Sequence, residues 1–145
     1  MRVRDAVEAD AEAMAAIADA PKDVMRHLVH DRTVRIADEP ESGSRSDPHA
    51  DAEGEGPSAN VLGFVSFDAR NDVVYVTQID GTPEAVEQLL AEPVRFARGE
   101  DMAVELLAPD THPHVETAAE TVGFAKNGHG PRFDGTPTIR YRLEP

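Results

Sequence analysis

The chain lacks cysteine altogether, and only two of its 14 basic residues, Lys22 and Lys126, are lysines. Without cysteine there are no disulfide bonds, no thiolate catalysis and no cysteine-ligated zinc. No apolar run approaches the length of a membrane span, and the N-terminal MRVRDAVEAD lacks the apolar segment of a signal peptide. We therefore expect a cytoplasmic protein that does not interact with membranes.

Several catalytic signatures are also missing. The sequence has no G-x-S-x-G, no G-x-x-x-x-G-K-[ST] and no G-x-G-x-x-G. Serine hydrolase, P-loop and Rossmann functions therefore have no support. The pair His112 and His114 is not expected to bind a metal, because residues two apart do not share a helix face. His27 and His30 are interpreted as exposed histidines of a helix.

Acidic residues are abundant: 28 against 14 basic ones give a formal charge of −14. Such a field repels the phosphates of nucleic acid, so a general DNA- or RNA-binding role is disfavoured. The acidity is consistent either with attraction of a cationic substrate or with a surface adapted to a salt-rich cytoplasm. Because the acids are spread along the chain and lysine is nearly absent, we favour origin in a salt-loving microbe.

The length of 145 residues suits one domain, 1–145, with a single core. Hydrophobic periodicity predicts elements in the order β-α-α-β-β-β-α-β-α-β-β. The expected fold is α/β (α+β), with a mixed sheet of about six to seven strands and about four helices. The predicted strands include 2–6, 33–37, 61–69, 72–80, 102–108 and 136–144, and the predicted helices are 8–20, 23–30, 82–98 and 114–122.

The segment 38–60 differs in composition from its surroundings. It holds acids, prolines and glycines but no large apolar residue, so it cannot offset the entropy of ordering. We expect a flexible acidic insertion. A lid over a site is the functional alternative, and an extended hairpin loop is the interpretation that we favour.

The stretch 72–101 is the most informative part of the sequence. It reads as a buried strand, a glycine turn at Gly81 and a helix that opens on Thr82 and Pro83. Threonine is a good helix N-cap, and proline suits the first helical position. A strand that feeds a helix N-terminus through a glycine turn is typical of an anion site.

The order of elements and several local stretches resemble the GNAT superfamily of N-acetyltransferases over nearly the whole chain. VRDAVEADAEAMAAIA is similar to that family's opening strand and first helix, and VLGFVSF to its third strand. VVYV is similar to the strand on which acetyl-CoA lies. APDTHPHVETAAETVGF and IRYRLEP are similar to the closing elements of the fold.

The resemblance implies transfer of an acetyl group from acetyl-CoA to an amine of a small molecule or a protein. A homodimer is the family habit. Pantetheine is implied to contact the strand backbone, and pyrophosphate the turn and the first helical residues. The cofactor-binding residues implied in this way are Val74, Tyr75, Val76, Gly81, Thr82, Glu84, Ala85 and Val86.

The pyrophosphate loop departs from the family pattern Arg/Gln-x-x-Gly-x-Gly/Ala. In the ungapped register Glu84 replaces the first motif glycine and Val86 the second position. A register that begins at Gln78 ends instead in Pro83. Asp80 and Glu84 flank the helix start, and no lysine or arginine lies between residues 70 and 95, so phosphate is repelled there.

The expected proton donor is missing too. Ala119 stands where the family usually has a tyrosine, and Thr111 or His112 stands at the usual asparagine. Glu105 is a candidate base, but we favour a structural ion pair with an arginine such as Arg4. Catalytic residues therefore remain unassigned. Tyr75 and Tyr141 are interpreted as sheet-packing residues and not as proton donors. The alternative function is a GNAT-like domain that binds no cofactor and acts as a partner-binding or structural module.

Overall fold

The computed structural model describes residues 1–39, 60–109, 113–130 and 135–145. Seven strands and four α-helices lie in this part of the chain, as expected from the sequence, and a 3-10 turn at Glu8–Asp10 precedes the first helix. The elements are β1 Arg2–Asp5, α1 Ala11–Ala18, α2 Lys22–Asp31, β2 Thr33–Asp38, β3 Val61–Arg70, β4 Val73–Gly81, α3 Pro83–Glu100, β5 Ala103–Pro109, α4 Pro113–Val122, β6 Ala125–His129 and β7 Thr138–Leu143.

The strands form one mixed sheet in the order β1-β2-β3-β4-β5-β7-β6. Neighbouring strands are antiparallel except β4 and β5, which are parallel and joined by α3. A parallel pair needs a long crossover, and an 18-residue helix supplies it. The parallel β-α-β unit predicted from the sequence is therefore confirmed.

The two faces of the sheet carry two apolar clusters. On one face, α3 and α4 pack on the central strands through residues such as Leu89, Val115 and Leu106. On the other face, α1 and α2 cover β2 and β3 through Met14, Met25 and other residues. Strand β7 also turns one face to this first cluster, since Tyr141 is fully buried and Ile139 and Leu143 pack on the cluster.

One predicted helix needs correction in detail, and two local features were not predicted. The helix predicted at 8–20 begins as a 3-10 turn, and α1 ends at Ala18. In α2 the buried residue is Met25, whereas the adjacent Val24 is 51% exposed. The hairpin turns at Asn71 and Asp72, both with positive φ, because right-twisted strands favour such a turn.

The acidic segment joins β2 to β3. Asp38 was predicted to belong to the flexible insertion, but it is the last residue of β2 and is only 3% exposed. The Glu39 amide donates to the Asn60 carbonyl over 3.1 Å, so the two ends of the segment meet as in a hairpin. Residues 40–59, where the insertion was predicted, lie outside the described part.

No helix in the described ranges is long and apolar enough to cross a membrane.

Candidate active site

An opening separates β4 from β5 at their C-terminal ends. The two strands pair from Val73 with Ala103 to Val76 with Leu106, and no further. Beyond that point β4 continues to Gly81 on β3 alone, and β5 continues to Pro109 on β7 alone. The facing edges of residues 77–81 and 107–109 therefore carry backbone groups without a strand partner, and we call this gap the β4–β5 opening.

A β-bulge coincides with the start of the opening. Ser66 pairs with Gln78 and Phe67 with Val76, which leaves Thr77 as the extra residue of β4. An extra residue bends its strand and increases the local twist. The Ser66 and Thr77 hydroxyls lie 2.5 Å apart, and Thr77 Oγ1 also donates to the Ser66 carbonyl over 3.1 Å. These bonds hold the bulge at the place where β4 leaves β5.

Substitution of Thr77 by valine is expected to destabilise the protein by about 1–3 kcal/mol, because the buried Ser66 hydroxyl loses its partner. Adding Ser66→Ala should cost little more, so that a double-mutant cycle gives a coupling of about 1 kcal/mol. Urea denaturation of the four proteins measures this. Strictly additive effects would contradict a bulge held by the hydroxyl pair.

Two glycines let the end of β4 approach β3 and α3 closely. Gly63 and Gly81 are paired at the end of the β3–β4 ladder. A Cβ on Gly81, where φ is +138°, would lie 2.4 Å from the Leu62 carbonyl oxygen, and a Cβ on Gly63 would lie 3.1 Å from that of Ala85. Gly81, predicted from the anion-site pattern, thus has a packing role. Gly63 was missed, although a glycine inside a strand is a known sign of close backbone approach.

The first turn of α3 is capped as the sequence predicted. Thr82 is the N-cap, its hydroxyl accepts from the Ala85 amide over 3.1 Å, and Pro83 occupies the first helical position. Ala85 and Val86 are fully buried, backbone included, so neither residue presents an accessible group to a ligand. The hydrogen bond that caps the helix also occupies a backbone amide that could otherwise donate to a ligand.

Most backbone donors between Gly81 and Val86 already have partners inside the protein. Pro83 has no amide hydrogen, and among the described residues the Glu84 amide alone has no partner in this turn. The amide of Gly81 donates to Asp80 Oδ1 (2.8 Å), that of Thr82 to the Leu62 carbonyl (3.0 Å), that of Ala85 to the Thr82 hydroxyl and that of Val86 to the Thr82 carbonyl (2.9 Å).

A cleft of about 340 Å³ lies between the start of α3 and one side of α4. Glu84 and Glu87 line it from α3, and His114, Thr117 and Thr121 from α4. Within the described ranges no lysine or arginine lines this cleft. We call it the α3–α4 cleft. Its two carboxylates oppose the attraction of the helix N-terminus for an anion.

The structure brings only part of the predicted cofactor contacts to the β4–β5 opening. Val74 and Tyr75 lie inside the parallel ladder with β5, and Val76 forms its last pair. Val74 and Val76 are buried, Tyr75 is partly exposed and Thr77 is exposed. The strand was predicted to be buried on both faces, and this is wrong for the face of Tyr75, which is partly open.

Neither Glu105 nor Ala119, the positions considered for proton transfer, lines the α3–α4 cleft. Ala119 is fully buried, and its methyl group has no proton to donate. Glu105 is ion-paired with an arginine, as predicted, but this arginine is Arg142 of the adjacent β7 and not Arg4, the example suggested, because a directly opposite residue on the next strand is closer. Glu105 lies directly opposite Tyr75 on the neighbouring strand, so both side chains are on the sheet face opposite α3 and α4.

Tyr141 is a core residue. Burial raises the pKa of its phenol, and the charges of Glu116 and Glu120 raise it further. Tyr141 does not line the α3–α4 cleft and packs in the core of the sheet, as predicted.

The structure describes some, but not all, of the residues named in the histidine and metal predictions. Thr111 and His112 lie outside the described residues. His27 is exposed, and His30 lies 3.7 Å from Glu8 on the surface. Within the described ranges, no three acidic or histidine side chains are grouped so as to hold a metal ion.

Comparison with solved structures places this geometry in a known fold. A ribosomal-protein-alanine N-acetyltransferase from Brucella melitensis matches with a TM-score of 0.71 and 15% identity over 100% of both chains. A protein from Desulfovibrio desulfuricans assigned to the GNAT family matches at 0.68 and 17%, over 99% of this chain and 98% of that one. An acetyltransferase from Salmonella typhimurium, solved with its cofactor acetyl-CoA, matches at 0.69 and 13%, over 99% and 92%.

No family model and no curated protein sequence matches the chain. The structural likeness, at low identity, establishes that the chain has the fold of the GNAT acetyltransferases. The fold predicted from the sequence, a mixed sheet with four helices, is confirmed.

Proposed function

We propose that the protein is an N-acetyltransferase that moves an acetyl group from acetyl-CoA to an amine. The observation that carries this proposal is the β4–β5 opening, within a fold shared with acetyltransferases, one of which was solved with acetyl-CoA. Fold alone does not define activity, so the residues present must also suit the ligand.

The opening suits the pantetheine arm. Pantetheine contains amide groups that hydrogen-bond like a peptide, and an unpaired strand edge binds such a ligand by adding it as a further strand. Val76, at the last pair of the ladder, and the residues that follow it on β4 offer that edge, and 107–109 of β5 face it. The acetyl thioester would then lie close to the Thr77 bulge.

The turn at Gly81–Val86 suits the pyrophosphate poorly. Of the residues in this turn implied as phosphate contacts, Glu84 alone has an amide without a partner among the described residues. Its own carboxylate and that of Glu87 repel an anion, by about 0.3–1 kcal/mol for each exposed group near the helix N-terminus. Molar salt would screen this repulsion, which agrees with the proposal of a salt-rich cytoplasm.

The proposed chemistry is direct acyl transfer. The amine nitrogen attacks the thioester carbonyl, the carbon–nitrogen bond forms, the carbon–sulfur bond breaks, and the amine proton ultimately balances the thiolate that leaves. The acceptor is an amine of a small molecule or a protein. We assign neither the base nor the acid, because Glu105 is ion-paired and Ala119 has no proton to give.

A second function is favoured by a specific observation. The occupied amides of the α3 turn and the carboxylates in the α3–α4 cleft suit a domain that has lost the cofactor and works as a partner-binding or structural module. The two proposals differ in one measurable property, the binding of acetyl-CoA.

The test is thermal unfolding of the full chain in molar KCl with and without acetyl-CoA. A ligand at a hundred times its Kd stabilises the folded state by about 2.7 kcal/mol. For a domain of this size we expect a rise in Tm of roughly 5–10 °C. No rise at millimolar acetyl-CoA would sink the enzyme proposal and leave the module.

Two tryptophan variants test whether binding also needs the α3–α4 cleft. Thr121 is exposed and lines this cleft, whereas the adjacent Glu120 is exposed and does not. Because the β4–β5 opening is the proposed site, both Thr121→Trp and Glu120→Trp should keep the Tm rise. Loss of the rise in Thr121→Trp alone would place acetyl-CoA in the cleft and not in the opening. Release of free thiol in a screen of amines then identifies the acceptor.

A further inference from the structure

The distribution of backbone donors around the proposed donor site is uneven, and this bears on how the donor is recognised. At the β4–β5 opening, residues 78–81 pair with β3 and residues 107–109 pair with β7, but the edges that they turn toward each other form no ladder. At the start of α3, by contrast, the amides of Gly81 and Thr82 are already bonded. The inference that follows rests on the proposed function.

The contact between Asp80 and Gly81 further reduces the hydrogen-bond donors that the start of α3 offers to a phosphate. Asp80 Oδ1 accepts the Gly81 amide over 2.8 Å, so a carboxylate of the chain occupies the donor that a phosphate oxygen would use. To reach that amide, a phosphate must displace the carboxylate and remain beside it.

The charges of the α3–α4 cleft also oppose binding of the nucleotide. Glu84 and Glu87 line it, and no lysine or arginine from the described ranges stands opposite them. An unscreened cleft with two carboxylates penalises a ligand that carries the negative charges of a pyrophosphate and a ribose phosphate. An uncharged ligand incurs no such penalty.

From these contacts we infer that the protein recognises its acyl donor through the acyl-pantetheine arm and gains little from the nucleotide. The donor class is therefore acyl thioesters of pantetheine in general, of which acetyl-CoA is one. The β4–β5 opening supplies the binding groups, and the carboxylates of the α3 turn keep the nucleotide end from adding affinity.

The experiment compares the Kd of acetyl-CoA with that of S-acetylpantetheine, which lacks the nucleotide and its charges, by calorimetry on the full chain. At 0.1 M KCl we expect less than a tenfold difference. In molar KCl the affinity for acetyl-CoA should rise, because its repulsion is screened, while that for S-acetylpantetheine should stay within about twofold.

A charge variant tests the cause. Glu84→Gln with Glu87→Gln should tighten acetyl-CoA binding several-fold at low salt and leave S-acetylpantetheine unchanged. Glu12→Gln with Glu100→Gln is the matched control, since it removes the same charge from exposed sites away from the cleft. Equal gains in both double variants would show a whole-surface effect and overturn the inference.

The remaining outcomes separate the two proposals. If acetyl-CoA binds tenfold or more tightly than S-acetylpantetheine at low salt, the inference is wrong and the proposed function stands. If neither compound binds at either salt concentration, both are wrong.

Discussion

Gly81→Ala is expected to destabilise the protein by about 3–5 kcal/mol, a large part of the ~5–15 kcal/mol that stabilises a domain. Two causes add. An L side chain at a φ of +138° is strained, by about 1–3 kcal/mol. The new Cβ would also lie 2.4 Å from the Leu62 carbonyl oxygen and 2.5 Å from Gly63 Cα, and backbone atoms cannot move aside as a side chain can. Urea denaturation measures the loss.

Two other glycines separate these causes. Gly128 has a φ of +91° with nothing within 4 Å of a new Cβ, so Gly128→Ala reports backbone strain alone. Gly99 lies in α3 with open space around it and no unusual φ, so Gly99→Ala should stabilise the helix by up to about 1 kcal/mol. If Gly81→Ala costs no more than Gly128→Ala, close approach to β3 is not what requires glycine at 81.

Gly81 also shows what the sequence could and could not predict. Glycine followed by Thr82 and Pro83 predicted a turn and a helix start, because N-capping and proline preference are local. The pattern suggested an anion site at the same place. The partner that fills the space, Gly63 on the neighbouring strand, is distant in sequence, and no local pattern reveals which glycines face each other.

Element order was predictable because the apolar periodicity of helices and strands is a local property of the sequence. The bulge at Thr77 was not, since a single extra residue leaves the alternation of β4 nearly unchanged. Its cause is the pairing with Ser66, which depends on the register of another strand. The start of the β4–β5 opening could therefore not be located from the sequence.

Ion-pair partners could likewise not be predicted, because the two residues of a pair can be distant in sequence. Glu105 was recognised as a paired carboxylate, but its partner is Arg142, which only the β5–β7 register brings beside it. The use of the Gly81 amide by Asp80 is local, and the sequence pattern of an acid before a glycine turn did suggest repulsion of phosphate there. The sequence therefore predicted the negative charge of the site, but not which of its amides are hydrogen-bonded within the protein.

Arg4 links two buried carboxylates near the end of the sheet. Its two terminal nitrogens each donate to Asp10 over 2.9 Å, and its Nε donates to Asp38, also over 2.9 Å. Asp10 is fully buried, and its carboxylate also accepts the Val7 amide over 2.8 Å, which fixes the 3-10 turn before α1. The cluster therefore joins β1, β2 and the start of α1.

Arg4→Met is expected to destabilise the protein by about 3–5 kcal/mol at neutral pH, because two buried carboxylates lose their countercharge. Arg2 provides the control. It donates to the same Asp38 at 3.0 Å, but its side chain is 55% exposed, so Arg2→Met should cost no more than about 1 kcal/mol. Similar losses from the two variants would contradict a role for burial.

The pH dependence supplies an independent check on this cluster. Burial opposes ionisation of Asp38, but the hydrogen bonds from Arg2 and Arg4 outweigh it and hold the pKa of the carboxyl below its ordinary 3.8. A lowered pKa stabilises the folded state above pH 3.8, and this contribution is lost as the pH falls through the folded value. In Arg4→Met the buried Asp38 carboxylate loses one of its two arginine partners and takes up a proton more readily, so the variant should approach the wild type in stability as the pH falls towards 4. A stability difference that stays constant from pH 7 to pH 4 would show that Arg4 acts by packing and not through its charge.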